Sequence, residues 1–312
     1  STRNGALVYG MGNHTLTNTG RIGGNITFAD VAASRNTVTL GTGSPIPDPN
    51  RAGPSTLVTA GDHHFLVDCG RGVLMRLAAA GVGAGQLSAV LITHLHSDHL
   101  TDLDDVITTR WISTFEPTPL TVVGPPGTRA VVEAIESMLR ADIAYRLAHH
   151  DDLHEVPVTE VIETSEGPVD LPIGPRVTTA ATDHRPVEPS IGFRIEHEDR
   201  VVVLAGDTVP CDGLDALAAG ADVLVHTAIR SEVIANIPIA RLNDVTDYHS
   251  SVEQAADTAT RAGVRTLERA HHVPAHPPGQ GDEVAASASR VFPGRVVAAD
   301  DLTTVDIPEE DS

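Results

Sequence analysis

The chain has 312 residues, with 42 acidic against 21 basic side chains and a formal net charge of −21. So negative a surface repels phosphate backbones unless a local basic groove offsets it, and no basic cluster is visible, so composition disfavours nucleic acid as a partner. Two cysteines in separate segments rule out a disulfide framework, and no apolar run reaches the length of a membrane span, which leaves a cytoplasmic α/β protein large enough for one extended core.

Residues 1–36 are rich in Gly, Asn and Thr and lack the basic-then-apolar order of a signal peptide. They read as an N-terminal extension, flexible or laid over a neighbouring subunit, with a single domain expected over 37–312. That domain opens with the β-type run Thr37-Val38-Thr39-Leu40 ahead of Gly41-Thr42-Gly43-Ser44. Segments 56–60 and 64–68 form a hairpin pattern around Gly61-Asp62, and 73–80 a helix stopped by Gly81. A buried-type strand over 89–93 leads into His94-Leu95-His96-Ser97-Asp98-His99 and then a helical, acidic stretch at 101–110. The spacing predicts a strand at 120–123 and a proline-opened helix over 126–141. In the second half, 176–182, 191–196, 201–205 and 221–225 are strand-like, and 251–262 is helical up to Gly263. Strands lead and helices follow in each half, an order that suits two packed sheets with helices outside better than a regular βαβ alternation.

The densest chemistry lies at 94–99: three imidazoles and a carboxylate within six residues, presented from the end of a strand. Imidazole nitrogen and carboxylate oxygen are zinc ligands, and a site left open to water generates hydroxide near neutral pH. A histidine-rich surface loop is the competing reading, and the buried-type strand beside it favours metal. Asp183-His184-Arg185-Pro186, Gly206-Asp207-Thr208 and Ala270-His271-His272-Val273-Pro274 also place His or Asp where a chain leaves a sheet.

Taken in order, these segments resemble the metallo-β-lactamase-fold hydrolases, in the branch containing ribonuclease Z and related small arylsulfatase and phosphodiesterase enzymes. The resemblance runs from about Thr37 to Ala275 and includes Phe65-Leu66-Val67-Asp68-Cys69-Gly70, Gly192-Phe193-Arg194-Ile195 and His249-Ser250-Ser251. It implies a four-layer αββα sandwich with two zinc ions per chain, manganese or iron being alternatives. His94, His96 and His184 would hold one ion; Asp98, His99 and His271 the other; Asp207 would bridge them. His271 is preferred to His272 because the family's ligand stands three residues before the proline. A bridging hydroxide would attack the substrate, its pKa lowered from about 15.7 towards about 7. Asp98 and His249 are the catalytic candidates, His249 as proton donor. Asp68, as acceptor from a ligand histidine, His226 and Arg185 are supporting candidates, and a homodimer is implied.

Two departures bear on the substrate. Ribonuclease Z enzymes proper carry a transfer-RNA-gripping arm between the ligands matching His184 and Asp207, where only 22 residues intervene here. The family's His-Glu-Ala-Thr motif also reads His226-Thr227-Ala228-Ile229, without the glutamate that orients the histidine matching His249. With the net charge, these departures predict a hydrolase of small phosphodiesters or arylsulfates, whose phenolate leaving groups need little protonation. A lactonase or hydrolytic dehalogenase is the alternative, and an RNA-processing nuclease ranks below both. Trp111 and Phe115 could wall an aromatic pocket or pack in a core. The cluster His149-His150-Asp151-Asp152 reads as an exposed loop, and Cys69 as a packing thiol.

Overall fold

The computed structural model describes residues 36–114, 118–275 and 281–307. Their fold follows from alternation along the strands. The first-half strands are β1 (Asn36–Gly41), β2 (Ser55–Ala60), β3 (His63–Val67), β4 (Leu87–Leu91), β5 (Leu120–Gly124) and β6 (Thr159–Glu163). The second half supplies β7 (Gly167–Val169), β8 (Arg176–Ala181), β9 (Ile191–His197), β10 (Arg200–Leu204), β11 (Val223–Thr227), β12 (Thr266–Ala270), β13 (Arg295–Ala298) and β14 (Thr303–Asp306). On β3, Phe65 and Val67 enter one core and Leu66 another; on β4, Ala89 and Leu91 part from Val90 in the same way. A period-2 pattern with both faces apolar requires cover on both sides.

The strands form two mixed seven-stranded sheets, β14-β1-β2-β3-β4-β5-β6 and β13-β12-β11-β10-β9-β8-β7. In these orders the first sheet has three antiparallel pairings followed by three parallel ones, and the second three parallel followed by three antiparallel. The inner core joins Phe65, Leu91 and Val123 of one sheet to Val177, Phe193 and Val225 of the other. Helices α1 (Val73–Ala79), α2 (Leu103–Ser113) and α3 (Thr128–His149) follow first-half strands, and α1 to α3 place Leu77, Val106 and Val132 in the outer core of the first sheet. Helices α4 (Asp212–Ala218), α5 (Ser231–Ile234), α6 (Ala240–Asn243), α7 (Val252–Arg261) and α8 (Asp282–Ala288) belong to the second half, where α4, α7 and α8 cover the other sheet with Leu214, Ala256 and Val284. The four-layer αββα expectation holds.

Some local expectations shift. Helix α3 runs past 141 to His149, because no glycine or proline interrupts 128–149. Strands β6, β7, β13 and β14 have three to five residues of mixed polarity and owe their conformation to pairing at sheet edges, so no sequence pattern announces them. Among the described residues no helix is long and apolar enough to cross a membrane. Residues 1–35 and Phe115, which carried the extension and half of the aromatic-pocket expectation, lie outside the described residues.

Candidate metal centre

The chemistry-bearing loops converge at one end of the sandwich. The 94–99 segment follows β4, with Ser97–His99 as a 3-10 turn; Asp183 and His184 follow β8, Asp207 follows β10, and His271 follows β12. The sheets close on each other here through Ile191 N–H donating to Thr93 O at 2.9 Å. Gly206 makes the approach feasible: its φ is 65°, and a Cβ there would lie 2.8 Å from the Thr93 Cβ.

Two groups of ligand atoms result. Those of His94, His96, His184 and Asp207 lie within 4.8 Å of one another, as do those of Asp98, His99 and His271. Asp207 Oδ2 sits between the groups, 3.8 Å from His94 Nε2, 3.9 Å from His184 Nε2, 3.4 Å from His99 Nε2 and 3.7 Å from His271 Nε2. Asp98 Oδ2 is 3.3 Å from His271 Nε2 and 3.8 Å from His99 Nε2.

Hydrogen bonding behind the rings fixes which nitrogens are bare. The Thr93 hydroxyl donates to Asp68, so its oxygen accepts from His94 Nδ1–H at 3.0 Å and leaves His94 Nε2 as a lone pair. His184 Nδ1–H donates to Tyr248 O at 2.9 Å, which likewise bares its Nε2. Both lone pairs point at His96 Nδ1, 3.0 and 3.3 Å away. His99 Nδ1–H donates to Asp68 Oδ2 at 2.8 Å, and His99 Nε2 and Asp207 Oδ1 are buried without a partner among the described residues. Converging lone pairs and orphaned acceptors are what a bound cation satisfies, so the donor set fits a divalent metal. Electrostatics divide the set: burial opposes charge on His99, but Asp207 and Asp68 outweigh it and raise its pKa well above the ordinary value, so a metal there would displace a proton. Burial holds the His94 imidazole well below its ordinary pKa and lowers His184 to about 4, both neutral and ready to ligate. Burial opposes charge on Asp207, but the His271 and His99 imidazoles beside it outweigh burial and keep its carboxyl well below the usual range.

The supporting candidates divide. Asp68 accepts from His99 and also from Thr93 N–H at 2.9 Å. His249 turns Nε2 to Asp207 Oδ2 at 3.2 Å and donates Nδ1–H to Val245 O at 2.9 Å. A backbone carbonyl thus orients the ring that the missing glutamate was expected to leave loose. His226 is buried on the far side of β11, its Nδ1–H bonded to Thr227 O, beside Val252, Ala255 and Arg269 rather than the metal ligands. Arg185 is paired with Asp183 and its side chain is 69% exposed. His272 is held away from the ligand groups, its Nε2–H on Ala299 O at 2.6 Å, its Nδ1 facing Arg269 and its N–H on Thr42 O. Trp111 donates to Glu155 O at the C-terminal end of α2, in a hollow with no ligand residue in its walls. His149 to Asp152 are exposed and Cys69 is buried. Sequence reasoning missed Thr93, Tyr248 and Val245; the last two act through carbonyls, which carry no side-chain signature.

A family model described as the Beta-lactamase superfamily domain matches residues 63–272. The Ribonuclease Z of Mycolicibacterium paratuberculosis is 61% identical over 270 residues, which are 86% of this chain and 96% of that relative. The Ribonuclease Z of Mycobacterium bovis is 58% identical over 270 residues, with the same coverage. This chain belongs to the ribonuclease Z family. It is a metal-dependent hydrolase whose two His/Asp clusters are consistent with a dinuclear centre. Solved structures carry the same fold at lower identity. A metallo-β-lactamase fold protein of Bacillus subtilis has a TM-score of 0.67 at 23% identity, over 87% of this chain and 98% of that one. The short form of human tRNase Z has a TM-score of 0.63 at 23% identity, over 88% and 100%.

Family membership overturns the expected small-molecule substrate, including the ester, arylsulfate, lactone and dehalogenase readings, and with it the exclusion of nucleic acid. The missing arm does not discriminate: 270 matched residues make up 96% of the Mycolicibacterium relative, which has no room for a long extra arm either. The missing glutamate does not discriminate, because Val245 O holds His249. Net charge sums the whole surface, whereas recognition is local.

Proposed function

We propose that this chain is a ribonuclease Z, an endonuclease that hydrolyses a phosphodiester bond near the 3′ end of precursor transfer RNA at two zinc ions. The observation that carries the reading is 61% identity across 96% of a relative of that name, in a chain that keeps both ligand clusters. His94, His96 and His184 would hold one ion and Asp98, His99 and His271 the other, with Asp207 shared. The catalytic unit is residues 37–312, and residues 1–36 extend it.

When bound, the ions supply an activated water at neutral pH and neutralise charge building on the phosphate. The chain's own residues do the rest. Asp68 and the carbonyl of Tyr248 fix the ligand rings so that bare nitrogens face the centre. His249, with Nδ1–H anchored on Val245 O, presents Nε2 to the reacting end and protonates the leaving 3′-oxygen. A ribose alkoxide is a poor leaving group, so this proton matters more for RNA than for an aryl ester. In the metal-free protein burial lowers the His249 pKa, and the Asp207 contact more than reverses that.

The test is cleavage of a precursor transfer RNA with a 3′ trailer by zinc-loaded protein, with the product ends mapped. Cleavage at one position near the 3′ end, lost with EDTA and restored by zinc, is expected. An intact precursor with fully metallated protein would sink the proposal.

A further inference from the structure

His94, His99, His184 and His249 each turn the nitrogen away from the centre to a protein partner. His271 does not. Its Nε2 faces Asp98 and Asp207, and its Nδ1 is buried with no partner among the described residues. A metal-ligating imidazole almost always donates its second N–H to a carboxylate, a carbonyl or a water, since that bond fixes both tautomer and ring orientation. No carboxylate or carbonyl among the described residues fills that role for His271.

Between the two sheets, beneath the ligands, lies a hollow of about 40 Å³ with His271 in its wall. One water needs roughly 10–15 Å³ of such space, so the hollow has room for about three. Its polar wall includes Ser55, Thr56, Thr93 and Thr227. Ser55 commits its proton to Gly53 O, and Thr93 commits its own to Asp68. Thr227 is placed beside the ligand: it pairs across the β11–β12 ladder with Ala270, the residue before His271. It is also the position where this chain departs from the family's glutamate.

We infer that this hollow is a built water site, and that its water accepts the His271 Nδ1–H and is anchored by the Thr227 hydroxyl. Thr227 is then a positioning residue for the ion held by Asp98, His99 and His271, an inference that rests on the dinuclear reading. The exchange of glutamate for threonine puts a neutral hydroxyl and a water where the chain needs a ligand ring held, while His249 takes its orientation from Val245 O.

The experiment compares wild type, Thr227→Val and Thr227→Ser by chelator competition for zinc and by the absorption spectrum of the cobalt-substituted protein. Valine keeps the shape and β-branching that the strand accepts and replaces the hydroxyl with a methyl group. Thr227→Val is expected to weaken one of the two ions by about 10–100-fold and to alter one cobalt band set, with Thr227→Ser restoring both. Two wild-type affinities in a folded Thr227→Val would overturn the inference and leave the dinuclear reading standing. A wild type that binds fewer than two ions would instead overturn that reading. Should Thr227→Val not fold, the zinc-loaded wild-type crystal structure decides. Water density within hydrogen-bond distance of His271 Nδ1 and Thr227 Oγ1 is expected, and a dry hollow overturns the inference.

Discussion

At the residue scale, the centre depends as much on what stands behind each ligand as on the ligand. Asp68 shows this most sharply: one carboxylate receives His99 Nδ1–H and both donors of Thr93, and Thr93 in turn sets the tautomer of His94. Asp68→Asn keeps the shape but can set an amide N–H against an imidazole N–H. It should weaken metal binding or activity by about 10–100-fold, read by zinc titration; unchanged affinity would remove Asp68 from the support of the centre. His249 makes the opposite prediction, because it belongs to neither ligand cluster. His249→Ala should retain both ions and lose about 10²–10⁴-fold in precursor cleavage. The loss should shrink with bis(p-nitrophenyl) phosphate, whose leaving group needs no proton. Equal losses on both substrates would show that His249 is not the acid.

At the element scale, the two sheets are joined by a polar contact as well as by the apolar core. Glu268 of β12, two residues before the inward-facing Ala270, is fully buried and hydrogen-bonded to the hydroxyls of Thr37 and Thr39 on β1. Burial raises its pKa above the ordinary 4.5, against the opposing pull of both hydroxyls and Arg295. The folded state therefore holds this proton more tightly than the unfolded chain does. Stability linked to Glu268 is complete below the unfolded value and falls as pH rises through the folded one. Glu268→Gln removes the titration while preserving the contacts. Its melting temperature should exceed that of wild type at pH 8 and match it at pH 4.5 or below; a gap independent of pH would refute the assignment. Helix α7 shows the complementary case of a fully local signal. Ser251 caps it by accepting from Gln254 N–H at 3.2 Å, and the Ser-x-x-Gln spacing is readable without any structure.

At the scale of the whole molecule, the charge of −21 coexists with membership of a family named for cutting RNA. All 21 basic residues are arginines, the side chain best shaped for bidentate contact with phosphate. A chain with half as many basic as acidic side chains makes few such contacts, so binding of precursor transfer RNA should depend only weakly on salt. The slope of log affinity against log salt should stay below about 4 in magnitude, measured by filter binding with catalytically silent metal. A slope near 10 would point to a broad basic groove instead.

The fold and the convergence of the His/Asp side chains were legible in the chain because both rest on side-chain identity at fixed spacing. Alternating apolar runs dictate doubly covered strands, and three imidazoles with a carboxylate at 94–99 name their own chemistry. Whether His271 or His272 faces the ligand groups was decided by contacts, since Arg269, Ala299 and Thr42 hold the second of these rings elsewhere. The orientation of His249 was equally closed to sequence, because the group that sets it is a carbonyl, which every residue possesses. The substrate was misjudged for a related reason. Net charge and a missing arm describe the chain as a sum of its parts, whereas catalysis depends on which few atoms the tertiary structure brings to one end of the sandwich.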